Sequence, residues 1–186
     1  VGVVQRSAVG AVIALADALT NASTSFDIWA ELQNGGKRHE YEPVVEKFHV
    51  FFETTAVAHL VAMSALLYSV CETRSDTHNI PSLFKLAKQL LPVSTELFAF
   101  EERLASVKPL WIKLGRIRNE VFGHRKAKQY PFEVFVEIQL LPDEIATIIS
   151  SYKEILLGIS ELLEIEVPSA LKLEASAETE EIMRVL

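Results

Sequence analysis

Arg118, Asn119 and His124, within the stretch Leu114–Lys128 (LGRIRNEVFGHRKAK), are the residue types and spacing in this chain best suited to chemistry. A guanidinium grips phosphate oxygens through two parallel charge-assisted hydrogen bonds and keeps its proton at every working pH. An imidazole titrates near neutrality and can take or give a proton at an oxygen. Asn119 adds a neutral donor and acceptor beside them. Together they suit chemistry at a phosphodiester without a metal. The surroundings agree: Lys113, Arg116, Arg118, Arg125, Lys126 and Lys128 put six cations into sixteen residues, against Glu120 alone. Such a patch can hold a polyanion by its backbone. The bland alternative is a solvated basic face with one salt-bridged arginine, and spacing alone does not separate the two.

The element that must position these groups is a helix. At about 100° per residue, Leu104, Val107, Leu110, Trp111, Leu114, Ile117, Val121 and Phe122 fall on one continuous face. Lys113, Arg116 and Glu120 fall opposite, as a solvated side should. Arg118 instead falls inside the apolar arc. Buried and unpaired it would cost about 3–5 kcal/mol, so it must pair, snorkel or face a partner surface. On an unbroken helix His124 would point about 120° away from it. Gly123 changes that expectation, because glycine commonly takes the left-handed conformation that ends a helix and would turn His124 back.

At 186 residues the chain fits one domain with a real core. Its net charge of −7 supplies no global attraction to nucleic acid, so any such binding must be local. Cys71 is the single cysteine, which excludes an internal disulfide and fits the reducing cytoplasm. No basic region precedes the apolar residues near Val9 to Leu15, so no cleavable signal is expected. Thr54 to Cys71 runs eighteen residues without a formal charge and reaches the length of a membrane span. Its Thr54, Thr55, His59, Ser64 and Ser69, its lack of flanking cations and the lack of a second span favour a central bundle helix, apolar all round.

The expected fold class is all-α, a bundle of about five to six helices. A first helix over 4–33 bends near Asn21–Ser25, where small polar residues interrupt the pattern, and Asn34-Gly35-Gly36 ends it. Pro43 opens a second helix that runs to Cys71, with Phe48, Phe52, His59 and Met63 on one inner side, so that His59 is a core histidine. A polar loop over 72–79 leads to a short helix from Pro81 to Leu90. Ser94 caps a long helix, kinked at Pro109, that ends at the basic stretch. Residues 130–139 read equally as strand or short helix. Pro142-Asp143-Glu144 starts a helix to Ile165. The expected domain spans 1–165; residues 166–186 form an acidic tail or a short helix near 178–185.

No glycine-rich phosphate loop, nucleophile elbow, paired-cysteine pattern or HExxH is present. His39, His49, His59, His78 and His124 lie on different elements or faces, so no metal and no cofactor are expected.

The segment RNEVFGHR resembles the signature of the HEPN superfamily, an arginine and a polar residue followed at short distance by histidine. Here Arg118, Asn119 and His124 fill those places. The aromatic-rich helix before it, the loop carrying Arg74 and Asp76 and the leucine-rich helix after that loop resemble the abortive-infection U-type branch. The resemblance spans about residues 26–160 and is tight over Arg118–Arg125. Many members continue His-Arg-Asp, whereas Lys126 follows Arg125 here. The resemblance implies a helical bundle that dimerises so that two motif copies face each other. It also implies metal-independent endoribonuclease activity that leaves a 2′,3′-cyclic phosphate, in toxin–antitoxin or antiphage settings, with a cognate antitoxin as a partner. Arg118, His124 and Asn119 would be catalytic, and Lys113, Arg116, Arg125, Lys126 and Lys128 would hold RNA. A homodimer of this kind would be cytoplasmic, without a membrane partner. Two other readings compete: a non-catalytic HEPN-like module that binds nucleotide, RNA or a protein through the same cleft, and a membrane-associated helical protein.

Overall fold

Apolar residues at helical spacing along two long helices build the centre of the molecule. In α1 (Gly2–Leu32), Ala8, Ala11, Val12, Leu15 and Leu19 are all buried. In α7 (Pro142–Leu162), Ile145, Ile148, Tyr152, Ile155 and Ile159 recur at the same period and are equally buried. Each large side chain removed from water in this way contributes about 1.5–3 kcal/mol. This computed structural model describes residues 2–33, 38–123, 137–172 and 175–185.

Around this pair pack α3 (His49–Cys71), α4 (Ile80–Leu90), α5 (Thr95–Ser106) and α6 (Lys108–Arg116). A π-helical segment, Ile117–Gly123, continues α6. A short α2 (Arg38–Lys47) precedes α3, and α8 (Ser176–Val185) follows a 3₁₀ turn at Ser169–Lys172. Every regular element among the described residues is helical. Met63 and Leu67 of α3 and Leu83 of α4 join the core of α1 and α7. Gly158 on α7 lies against the Phe100 ring of α5, where a Cβ would come within 2.1 Å of that ring.

Local chemistry explains the helix starts. Asn79 and Ser82 form a reciprocal capping box at α4, with Asn79 Oδ1 accepting from the Ser82 amide at 2.8 Å. Ser94 Oγ accepts from the Leu97 amide at 3.3 Å and caps α5. At α7, Pro142 occupies the first turn and Glu144 Oε2 accepts from the Leu141 amide at 2.9 Å.

Several boundaries differ from expectation. α1 continues unbroken through Asn21–Ser25, because these polar groups find partners: Asn21 donates to the Asp17 carbonyl, and Ser23 Oγ accepts from Lys153 Nζ at 2.9 Å. Pro43 lies inside α2 instead of opening α3, and the chain breaks one turn later at Phe48 (φ −118°, ψ 32°). Pro109 does not kink one long helix; it opens α6 after a break at Val107. The acidic C-terminal segment carries a folded helix: Ala175 N donates to Asp27 of α1 at 2.9 Å, and Met183 packs with Tyr41 and Phe52. The expectation for 130–139 lies almost wholly outside the described residues.

The largest difference concerns α3, which is not a buried central helix. Its inner side packs Phe52, Ala56, Met63 and Leu67, but Val50, Phe51 and Val57 are 63 %, 60 % and 51 % exposed. Phe48 is exposed too, and His59 is half-buried in a surface groove with Phe51 and Ala58, not in the core. α1 joins α3 in being long and apolar enough to cross a membrane by length and composition, with mean hydropathies of 1.4 and 1.7.

Candidate functional site

The site begins with a glycine. Gly115 on α6 has no side chain, and the Tyr68 ring of α3 occupies that space; a Cβ there would lie 2.9 Å from Tyr68 Cε2. Tyr68 stacks on Trp111, one turn earlier on α6, with centroids 5.0 Å apart and planes 11° from parallel. Trp111 Nε1 donates to the Tyr68 carbonyl at 3.2 Å, so the indole satisfies its donor while it pins the end of α3. The two aromatic rings form a platform.

Arg118 lies on that platform. Its Cζ sits 5.2 Å from the Tyr68 ring centroid, a cation–π arrangement, and its Nη1 donates to Asn119 Oδ1 at 2.8 Å. The guanidinium is exposed. Of the three outcomes open to an arginine in an apolar arc, this is snorkelling: the head lies over the Tyr68 face and remains open to water. Beneath it Leu114 and Ile117 are fully buried, and Val121 joins Ile117 and Ile138 in a small second cluster. Residues 117–123 bond with π-helical spacing, a form that recurs as short insertions at functional sites.

The neighbouring cations are engaged elsewhere. Lys113 Nζ pairs with Glu144 at 2.6 Å. The hydrogen bond from Lys113, with the Leu141 amide second, holds the Glu144 carboxyl below its ordinary value. Arg116 bonds Glu137 at 2.8 Å and Glu120 at 3.2 Å, and these two acceptors hold the guanidinium proton more tightly than usual. Two of the five residues expected to hold RNA thus face carboxylates, which an incoming phosphate would have to displace. Glu120, expected on an opposite solvated side, is part of this ion-pair group.

The structure brings Arg118 and Asn119 together. His124, Arg125, Lys126 and Lys128 lie outside the described residues. Gly123 is the last residue of the π-helical segment, and among the described residues no glycine adopts a positive φ. The loop residues Arg74 and Asp76 pair with each other at 2.6 Å on the surface. Among the described residues no cluster of histidine, cysteine and carboxylate side chains could hold a metal ion.

Sequence reasoning missed Tyr68 and Gly115. A signal for Gly115 existed: a glycine inside a helix costs about 1 kcal/mol against alanine, so its presence suggests a close neighbour. Nothing comparable identified which ring would arrive. The exposed residues Val50, Thr54, Val57 and Ala65 share a helical face with Tyr68, which is itself half-buried.

No protein-family model matches the chain, and neither a curated protein nor a solved structure matches it.

Proposed function

We propose that this chain is a HEPN-like, metal-independent endoribonuclease that works as a cytoplasmic homodimer, with Arg118, Asn119 and His124 as its catalytic group. The observation that carries the reading is the presentation of Arg118. Its guanidinium is held by the Tyr68 face on one side and by Asn119 through a single N–H. The remaining N–H groups of its five are left to meet the two free oxygens of a phosphodiester. His124 takes the proton from the ribose 2′-hydroxyl, or returns one to the departing 5′-oxygen. The 2′-oxygen attacks phosphorus, the bond to the 5′-oxygen breaks, and the products are a 2′,3′-cyclic phosphate and a 5′-hydroxyl. The exposed apolar strip of α3 supports the dimeric part of the reading, since a two-fold contact there would cover Phe51 and Val57 and bring a second Arg118 platform nearby. A toxin or antiphage role, with a cognate antitoxin, belongs to the same reading.

A second reading is favoured by the ion pairs of Lys113 and Arg116 with Glu144, Glu137 and Glu120. With these cations neutralised, the site would serve as a non-catalytic module that binds nucleotide, RNA or a protein. One experiment separates the two: incubation of a mixed-sequence RNA in EDTA with wild type, Arg118→Ala and His124→Ala. The nuclease reading expects cleavage to cyclic-phosphate ends by wild type and a loss of at least about a hundredfold in each variant. RNA bound but uncut by a folded wild-type dimer would overturn it in favour of the binding module.

A further inference from the structure

Trp111 also lines a pocket of about 520 Å³, bounded by α4, α5 and α6 together with α7 and the end of α3. Its volume is that of a small-molecule site, within the usual range of about 300–1,000 Å³. The walls are apolar, formed by Phe84, Leu104, Trp111 and Pro81.

Two features make it more than a gap in packing. The first is Tyr152, which lines the pocket from α7 and is 0 % exposed, yet its hydroxyl completes no hydrogen bond of normal geometry among the described residues. The nearby Cys71 thiol is a weak partner. Buried hydroxyls without a partner are rare, because water satisfied them in the unfolded chain. The second feature is the charge at the mouth. Lys88 donates to both oxygens of Glu101, at 2.7 and 2.8 Å, and so removes the acid of the rim. Lys85 and Lys108 are exposed there, with no ion pair among the described residues. The mouth is therefore net positive in a chain whose total charge is −7.

We propose that this pocket binds a medium-chain amphipathic organic acid. The apolar body lies along Phe84, Leu104 and Trp111, and the carboxylate meets Lys85 and Lys108 at the mouth. A hydroxyl or carbonyl oxygen at the inner end accepts the Tyr152 O–H. This site is independent of the nuclease reading and stands or falls on its own.

The test is isothermal titration of the full chain with 10-hydroxydecanoate, decanoate and decyltrimethylammonium. Both acids are expected to bind saturably, one per chain, with the hydroxy acid tighter and the cation not binding. Lys85→Glu with Lys108→Glu should weaken both acids about tenfold. Tyr152→Phe should erase the preference for the hydroxy acid. Ala105→Trp, at an exposed position on the α5 rim, should block both acids while circular dichroism shows the fold intact. The proposal is overturned by the absence of saturable binding to folded wild type, or by equal binding of the cation. It is also overturned if the acids still bind Ala105→Trp and are lost with Phe51→Glu, since they would then sit on the open strip of α3.

Discussion

Gly158 and Gly115 use the same device at two places, and the outcomes differ. Each removes a side chain from one helix so that an aromatic ring from another can lie against its backbone. At Gly158 the ring is Phe100, pressed end-on, with three ring carbons within 2.7 Å of where a Cβ would stand. That ring joins the central core of α1, α4 and α7 and acts as packing. At Gly115 the ring is Tyr68, met more loosely, with its outer face left to carry Arg118. A glycine in a helix thus serves stability where the admitted ring packs against the core, and presentation where one face of the ring carries a charged group.

The sharpest way to break this comparison is Gly158→Ala. Overpacking costs about 1–3 kcal/mol, against which alanine returns about 1 kcal/mol of helix propensity. A net loss of up to about 2 kcal/mol is expected in urea unfolding, recovered in part by Phe100→Leu in the same chain. Gly115→Ala should be milder, within about 1 kcal/mol of wild type, because one ring edge can slide away. Its expected signature is spectroscopic: the near-ultraviolet circular dichroism of the Tyr68–Trp111 stack should fall while far-ultraviolet helicity stays. Equal destabilisation at the two glycines, with the aromatic signal intact, would show that Gly115 is mere packing.

The smallest expected effect concerns the ion pair that ties α6 to α7. Glu144 is held below its ordinary pKa, first by Lys113 and then by the Leu141 amide. Its contribution is therefore present above the ordinary carboxylate value and is lost as pH falls through the folded value. Glu144→Gln should flatten that part of the stability profile between neutral and acid pH, by well under the cost of a core change. An unchanged slope would mean that the pair contributes nothing measurable.

Much of the scaffold was legible because it rests on local rules. Ser94 is a capping residue, and Pro142 followed by two acids is a helix start whatever lies around it, whereas Asn79, read as the end of a loop, is the cap of α4. The breaks at Phe48 and Val107 were not legible, since a proline is compatible with both a first turn and an interior position until neighbouring helices choose. The composition of α3 was also deceptive. A segment apolar all round suggests a buried centre, but what a helix buries depends on how many neighbours reach it, and only its inner side is covered here.

The amino-acid sequence by itself determined the all-α class seen among the described residues and the two chemical groups, Arg118 and Asn119, that stand adjacent in it. It could do so because helix periodicity, capping and residue chemistry act over a few neighbouring positions. Tertiary structure alone decided that Arg118 snorkels across Tyr68 to solvent while Lys113 and Arg116 turn to carboxylates. It alone also placed Tyr152, fully buried and with its hydroxyl poorly partnered, in the wall of a pocket. Those outcomes depend on contacts between residues tens of positions apart, such as Tyr68 with Gly115 and Lys113 with Glu144, and no local pattern encodes which of them meet.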